Sequence, residues 1–322
     1  MAGIQYPAFT DETAAREALE AVRWPDGPYC PHCGNLDQEK IAKGAGKAHR
    51  PGLYYCAACN GQFTVTVGTV MERSKIPLSK WLMAMHLMAS SKKGMSAHQM
   101  HRMLGVTYKS AWFLCHRIRE AMKDDNASPL GGEGKSVQAD ETYIGNSSKR
   151  AKHYKKGHSH KQQIVALIEP NGKARVVHVQ TATKTSVRDI LLKHADLASE
   201  LHTDQSNLYT DVGGEFAAHK TVKHGQNARG GSGANYVGSE GQTTNAAENF
   251  FGIFKRGMVG TYHKCEAQHL QRYVTEFEFR HNTRSGLGVN DGERAALIAK
   301  GISGKRLTYR PTNGNRGSSA IH

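Results

Sequence analysis

The chain is short of acid. Against 43 Lys and Arg stand only 28 Asp and Glu, a formal net charge of +15 over 322 residues. Such a surplus repels itself until a polyanion neutralises it, so nucleic acid is the first partner to consider; a merely solvated basic surface is the plainer reading of the same number. No apolar run reaches the about 20 residues needed to cross a bilayer, and the start MAGIQYPAF lacks a signal peptide's layout. A soluble cytoplasmic protein associated with the nucleoid, without a membrane partner, is expected. No internal repeat is visible, which argues against a solenoid or propeller. The length and a hydrophobic share of 38% allow two or three ordinary globular domains. Cysteine is sparse too, six in all, but four of the six form two CxxC pairs, which in a reducing compartment favours metal ligation over disulfides.

Residues 1–70 open with a short helix for which Asp11 is the expected cap. Cys30-Pro31-His32-Cys33-Gly34 and Tyr54-Tyr55-Cys56-Ala57-Ala58-Cys59-Asn60 then make two knuckles, each aiming two thiolates at one ion. Cys30, Cys33, Cys56 and Cys59 together supply the tetrahedral shell of one structural Zn2+. With 54–55 and 62–67 read as strands, this is a zinc ribbon. His32 could compete as a ligand, but four cysteines already complete the shell. Cys115 and Cys265 stand alone in helix-like stretches, as small buried hydrophobes.

Residues 71–127 read as helices over 78–89, 96–104 and 107–122, with Ser96 and Thr107 as N-caps and Gly105 as the stop between the last two. Helix, glycine turn and helix have the shape of a helix-turn-helix. The third helix carries Lys109, His116, Arg117 and Arg119 beside Trp112, Phe113 and Ile118. Two readings stand side by side: a DNA-reading helix, or a plain helical linker around Met83, Met85 and Met88.

After a linker over 126–134 the pattern becomes α/β across 128–290. A strand spans 137–144. A basic loop, 146–161, holds Lys149, Arg150, Lys152, Lys155, Lys156 and Lys161, candidates for contacts with a nucleic-acid backbone. A hairpin joins 163–168 to 174–180, a helix covers 185–195, and a short strand over 200–203 ends at Asp204. A flexible Gly-rich loop over 225–241 precedes the helix carrying Glu248, and a second helix over 266–282 puts Leu270, Tyr273, Phe277 and His281 on one face. Residues 291–322 read as a basic tail. This element order is that of a ribonuclease-H-like, mixed-sheet catalytic domain, here preceded by a zinc ribbon and a small helical domain.

In that fold, carboxylates of the first strand, the fourth strand and a late helix converge. Side chains alternate along the first strand, so only one of Asp140 and Glu141 can enter a shared site; Asp140 is the choice. At the fourth strand Asp204 is favoured over Asp211, which comes a turn later. In Thr244–Arg256, Asn245, Glu248, Gly252 and Lys255 share one helical face and Phe250, Ile253 and Phe254 lie opposite. Glu248 is then a metal ligand with a cation two turns on, or it closes a capping box on Asn245. Three carboxylates in a basic protein suit two divalent cations that activate a water or 3′-hydroxyl and stabilise the leaving oxygen in attack on phosphate. Hard oxygen donors select Mg2+ or Mn2+. His263, in a loop between helices, could donate to a phosphate or be a structural hydrogen-bonder.

These segments resemble the transposases of bacterial insertion sequences of the DDE type, in the ISXO2-like group related to the eukaryotic Merlin elements. The resemblance runs from Cys30 to about Arg284. It rests on the two cysteine knuckles, Asp140-Glu141-Thr142-Tyr143-Ile144-Gly145, Thr203-Asp204 with Tyr209, and Val222-Lys223-His224. Thr244-Asn245 with Glu248, Lys255-Arg256-Gly257, Gly260-Thr261-Tyr262-His263 and His269-Leu270-Gln271-Arg272-Tyr273 complete it. It implies Asp140, Asp204 and Glu248 as a triad holding two Mg2+ or Mn2+, with Lys255 as its basic companion. It also implies DNA as partner, both the element's terminal inverted repeats and target DNA, and a homo-oligomer in the synaptic complex. Asn146 stands where the family often has a second glycine, and Gln205 where a smaller residue is expected; neither change removes a ligand. The rival expectations are a non-catalytic DNA-binding descendant of such an element and a ribonuclease-H-like nuclease without strand transfer.

Overall fold

Local caps and glycine turns set the helices of the amino-terminal part. The computed structural model describes residues 5–46, 49–145, 161–222 and 241–308. Contacts divide the chain into two compact units, Met1–Lys123 with Asn290–His322, and Asp124–Val289. Among the described residues, no helix is long and apolar enough to cross a membrane.

In the first unit, the Asp11 carboxylate accepts from the Thr13 N–H at 2.9 Å and starts helix α1 (Glu12–Arg23). A three-stranded antiparallel sheet follows in the order β1 (Ile41–Lys43), β2 (Tyr54–Cys56), β3 (Gly61–Phe63). Its small core is aromatic: the Trp24 ring meets Tyr54 and Phe63 edge-on at 5.2 and 5.9 Å, and those two stack at 5.5 Å. The strand expected over 62–67 stops at Phe63, because the Val67 N–H turns back to the Thr64 carbonyl and the Thr64 and Thr66 hydroxyls bond each other. The Val65 carbonyl instead accepts from the buried Arg23 guanidinium.

Helix α2 (Leu78–Ser90) follows Pro77, which offers no side-chain cap. Glu12 supplies one from a distance, accepting from the N–H groups of Leu78 and Ser79 at 2.8 and 3.1 Å. Helix α3 (Ala97–Leu104) is capped by Ser96 and ends at Gly105, whose φ of 59° is the left-handed turn that favours glycine; Thr107 caps α4 (Tyr108–Ala121). The helix, glycine turn and helix expected from sequence are present. The basic residues of α4 are a different matter. His116, Arg117 and Arg119 are buried, and Arg117 donates to the carbonyls of Glu72 and Leu307 while lying over the Phe113 ring. These three side chains pack the unit, so a DNA-reading role for them is corrected; Lys109, in the first turn, is exposed.

Residues 291–300, expected as the start of a basic tail, are a helix (Asp291–Lys300) with a capping box between Asn290 and Glu293. It packs on α2 because Ala295, Ile298 and Ala299 form an apolar stripe at helical spacing.

The second unit is a five-stranded mixed sheet. Its strands are β4 (Ser136–Ile144), β5 (Gln162–Ile168), β6 (Ala174–Val179), β7 (Glu200–Asp204) and β8 (Ala218–Val222), in the order β6-β5-β4-β7-β8. The first three pair antiparallel; β4–β7 and β7–β8 are parallel. Helix α5 (Lys184–His194) and the short α6 (Thr210–Gly213) accompany the crossover strands, and α7 (Asn245–Gly257) and α8 (Ala267–Asn282) come last. This is the ribonuclease-H-like arrangement. Strand alternation builds two cores: Ile164, Ala166 and Ile168 meet Phe250, Phe254 and Phe277 of α7 and α8, while Val165 and Leu167 meet Val187 and Leu191 of α5.

Edge strand β6 would present unpaired backbone groups. Instead α8 covers it: Gln271, Glu278 and Asn282 accept from the N–H groups of His178, Val176 and Ala174 at 2.8, 2.9 and 2.7 Å. Three side chains along one helical face thus do the work of a sixth strand.

Replacing Glu12 by Ala removes the acceptor for two N–H groups at the start of α2. The amino-terminal unit should lose about 1–2 kcal/mol, read as a lower urea midpoint, while Glu12→Gln loses less. An unchanged midpoint in Glu12→Ala would show that α2 needs no cap from α1.

Candidate functional site

On β4 the side chains of Gln138, Asp140 and Thr142 share a face, and the Gln138 amide oxygen accepts from the Ala246 N–H at 2.9 Å, so this face lies toward α7. Glu141 alternates to the other face with the core residues Val137 and Ala139. The parallel ladder between β4 and β7 ends at Gln138–His202. One further alternation brings Asp140, in the middle of β4, and Asp204, at the carboxyl end of β7, to corresponding places just past the point where β4 parts from its parallel neighbour. Open α/β sheets bind ligands at such forks.

Burial pushes the Asp140 carboxyl up from 3.8 to about 7; the Glu141 backbone N–H works against the rise, and the charges of Glu141, Asp204 and Glu248 add to it. All three charges thus bear on Asp140. The cluster is looser than the thiol cluster. Among the described residues, Cys30, Cys33, Cys56 and Cys59 are the only group of three or more ligand-type side chains whose ligand atoms all lie within 4.8 Å of one another. Carboxylates repel without a cation between them, and their donor chemistry fits hard divalent ions.

Helix α7 brings in Glu248. Its first helical residue is Asn245 and its N-cap is Thr244, which makes no side-chain cap bond; Glu248 is the fourth helical residue, and its own N–H donates to the Thr244 carbonyl. The capping box that would have given Glu248 a local role is not formed. Asn245, Glu248, Asn249, Gly252 and Arg256 line an open groove along the helix. Gly252 keeps its floor low, and the Arg256 guanidinium donates back to the Gly252 carbonyl at 3.0 Å. Lys255 is exposed on the same helix. Phe250, Phe251 and Phe254 are buried on the far side, with Ile253 half-buried.

The competing acids are engaged elsewhere. Asp211 pairs with Lys184 at 3.0 Å and Glu215 with Arg188 at 2.6 Å. Glu141 accepts from the Tyr209 hydroxyl at 2.6 Å and the Ser206 hydroxyl at 3.3 Å. Burial raises the Glu141 carboxyl, the Tyr209 bond lowers it, and the Asp204 charge raises it further. Gln205 is exposed, which explains why a larger side chain is tolerated there.

His263 lies beyond the end of α7, after a π-helical turn over Met258–Tyr262 that the Tyr262 hydroxyl anchors on buried Glu276. Its φ of 59° closes a tight turn in which the Lys264 N–H donates to the Tyr262 carbonyl at 2.6 Å. Lys149, Arg150, Lys152, Lys155 and Lys156 lie outside the described residues. Sequence reasoning missed Gln138, which docks the start of α7, and the Ser206–Tyr209 pair; a buried amide two residues before Asp140, on its face, was the available signal for the first.

In the ribbon, the Sγ atoms of Cys30 and Cys59 are 3.6 Å apart and those of Cys33 and Cys56 3.8 Å. Disulfide bonding needs about 2.05 Å. A tetrahedron of Zn–S bonds about 2.3 Å long has edges of about 3.8 Å, so the four thiols fit zinc. Burial pushes the Cys30 thiol up, but the N–H groups of Cys33 and His32 and the neighbouring thiols outweigh it and bring it to about 7. His32 is turned away, its Nε2 against the Gln62 carbonyl at 3.1 Å. At Gly61 a Cβ would come within 3.0 Å of the His32 ring and 3.1 Å of the Cys59 sulfur, so glycine lets the second knuckle close.

A ribonuclease-H-like sheet with carboxylates at the fork, in a chain that also carries a four-cysteine ribbon, defines the class. Residues 129–282 match the family model for the ISXO2-like transposase domain, and residues 10–62 match the transposase zinc-ribbon domain; together they cover more than half of the chain. The chain belongs to the ISXO2-like transposase family. A protein of Halobacterium salinarum described as an uncharacterized protein in transposable element ISH50 is 25% identical over 232 residues, spanning 67% of this chain and 76% of that protein. A solved structure, the simian T-cell lymphotropic virus intasome in complex with PP2A regulatory subunit B56 gamma, aligns at 13% identity over 56% of this chain with a TM-score of 0.29. The chain spans 63% of that structure's chain, less than two thirds, and at this score the likeness carries no argument.

Two measurements follow from this geometry. A chelator strong enough to strip zinc should unfold the ribbon, whose folding free energy includes metal binding, with one zinc released per chain; a ribbon folded and metal-free would contradict the tetrahedral reading. The second concerns pH. A carboxyl raised from 3.8 to about 7 in the fold holds a proton that the unfolded chain has released, so stability falls as pH rises from about 4 to about 7. Glu278, also raised to about 7 by burial, contributes with the same sign. Without divalent metal, Asp140→Asn should therefore be the more stable protein at pH 8, on the order of 2 kcal/mol, and Mg2+ should stabilise only the native sequence. Equal stability of the two proteins at pH 8 would show that Asp140 stands in no repulsive cluster.

Proposed function

We propose that this chain is the transposase of an insertion sequence, which binds the element's terminal inverted repeats and carries out metal-dependent strand cleavage and strand transfer. The observation that supports the reading best is Asp140, half-buried at the strand fork, its carboxyl raised by desolvation first and by the charges of Glu141, Asp204 and Glu248 besides. Asp140, Asp204 and Glu248 are the residues that would hold two Mg2+ or Mn2+. Bound there, the cations would activate water or a 3′-hydroxyl and stabilise the leaving oxygen during in-line attack on phosphate.

The chain's own residues do the rest. Asp140 and Asp204, on neighbouring strands, and Glu248, on α7, set the ions' places. Lys255 and Arg256, further along α7, meet the phosphates of the strand being cut, and Gly252 lets the backbone approach the helix. Lys149, Arg150, Lys152, Lys155 and Lys156 add backbone contacts that carry no sequence information, with His263 as a further donor. Reading of the ends falls to the zinc ribbon and the helix-turn-helix-like segment, through the exposed first turn of α4 with Lys109 rather than through its buried arginines. A homo-oligomer bringing two ends together, and action in the cytoplasm on nucleoid DNA, belong to the same reading. So do a zinc ribbon over 1–70, a helical segment over 71–127 and a catalytic domain over 128–290.

Asp140→Asn, Asp204→Asn and Glu248→Gln each keep shape and remove a charge the cations need. On an oligonucleotide carrying the element's end, each should lower cleavage and joining in Mg2+ by at least about 10³-fold while leaving end binding little changed. Asp211→Asn and Glu215→Gln break exposed ion pairs and should keep most activity. Full cleavage by Glu248→Gln would remove the third ligand and with it this mechanism. Loss of cleavage with joining never seen in the native protein would point instead to a nuclease.

A further inference from the structure

The two strands that carry Asp140 and Asp204 stop pairing before they reach them. Backbone bonds join β4 to β7 only as far as Gln138–His202. Beyond that point nothing in the ladder fixes how far apart the two carboxylates stand, and their charges push them apart.

We propose that Glu141 is a positioning residue that closes this gap, buckling β4 to the loop after β7 through Ser206 and Tyr209 and so setting Asp204 opposite Asp140. The proposal rests on the metal site proposed above. Glu141 sits on the face of the strand away from α7, and each of its two oxygens has a donor from that loop. Oε1 takes the Ser206 hydroxyl at 3.3 Å, and Oε2 takes the Tyr209 hydroxyl at 2.6 Å. The Ser206 N–H in turn donates to Asp204 Oδ1 at 2.9 Å. Thus one chain of contacts runs from β4 through Glu141 and Ser206 to the Asp204 carboxylate.

Tyr209 is the fixed end of the buckle. Its ring is fully buried in the core with Val137, Ala139 and Leu201, so its hydroxyl cannot follow a moving loop. A carboxylate at position 141 suits the task because it can accept from both donors at once. Its charge is also kept off the α7 face, where a fourth ligand would crowd the ions. Groups that hold ligands in place without touching the metal are worth about 10- to 100-fold in metal affinity or activity.

The test uses the full-length chain with Mn2+ as the probe. Free Mn2+ is titrated by electron paramagnetic resonance without DNA, and the Mn2+ dependence of cleavage is followed in parallel. Tyr209→Phe and Glu141→Ala should weaken Mn2+ binding by about 10- to 100-fold, with cleavage largely regained at saturating Mn2+. Ser206→Ala, a milder change at a half-exposed site, should shift binding in the same direction by less and guards against misfolding of the buried variants. Glu141→Gln should restore binding to near the native level: its amide oxygen accepts from Tyr209, and its NH2 can donate to the Ser206 hydroxyl. Native Mn2+ affinity in Tyr209→Phe, Ser206→Ala and Glu141→Ala would reduce the buckle to a packing feature and overturn the proposal. Loss of bound Mn2+ in Glu141→Gln as complete as in Asp140→Asn would make Glu141 a ligand and overturn it as well. Native Mn2+ binding in Asp140→Asn and Asp204→Asn would instead remove the metal site itself, a failure of the underlying reading seen without any of the buckle variants.

Discussion

Like charges brought together at the end of a parallel strand pair are the constraint on which the carboxyl-terminal unit turns. Burial already disfavours ionisation of Asp140, and Glu141, Asp204 and Glu248 disfavour it further. Such a cluster opposes folding unless a cation or a stiff frame holds it, so the frame has to be built from interactions that do not depend on the cluster. The sheet supplies it. Ile164, Ala166 and Ile168 bury one face against the phenylalanines of α7, and Val165 and Leu167 bury the other against α5. Helix α7, which carries Glu248, is held on the sheet by the burial of Phe250, Phe251 and Phe254, each worth on the order of 2 kcal/mol in apolar area.

The same frame explains why polar side chains recur at its margins. Gln138 secures the start of α7 through the Ala246 N–H, while Gln271, Glu278 and Asn282 of α8 satisfy the free edge of β6. Both are places where a backbone donor would otherwise be left without a partner, and a buried orphan costs more than the bond itself gains. Glu278 shows what such a solution exacts. Reaching the Val176 N–H desolvates it enough to raise it to about 7, despite that bond and Arg175 at 3.6 Å.

What could be read from sequence divides along the line between local and distant causes. Asp11, Ser96, Thr107 and Gly105 punctuate helices through bonds to residues two to four positions away, and each does what its residue type led one to expect. Strand alternation was enough to separate Asp140 from Glu141, and the hydrophobic stripe of Thr244–Arg256 was enough to orient α7. Local spacing misled where partners are remote. Arg117 looked like a nucleic-acid contact because its neighbours are basic, yet its guanidinium answers to the carbonyls of Glu72 and Leu307, far off in the chain. The Glu12 cap on α2 and the Tyr209 hydroxyl on Glu141 were illegible for the same reason. Residues 291–300 read as tail in the sequence because charge and Gly292 mask a short apolar stripe that gains its meaning only against α2.

The two candidate metal centres solve opposite problems. In the ribbon, the knuckles themselves hold four sulfurs at tetrahedral spacing, Gly61 leaves room for the Cys59 sulfur, and His32 is bonded to the Gln62 carbonyl. Closed shells of soft donors suit an ion that stays and stabilises a small fold. At the strand fork the donors are hard, fewer, spaced more widely, and contributed by segments far apart in the chain, with an open groove alongside on α7. A site of that kind leaves coordination positions for water and phosphate, which a catalytic ion requires and a structural one does not. Because its ligands come from strands and a helix that no local turn holds together, its geometry depends on the surrounding polar contacts. On the function proposed above, that dependence makes the residues beside the three carboxylates, rather than the carboxylates alone, the place where activity would be set.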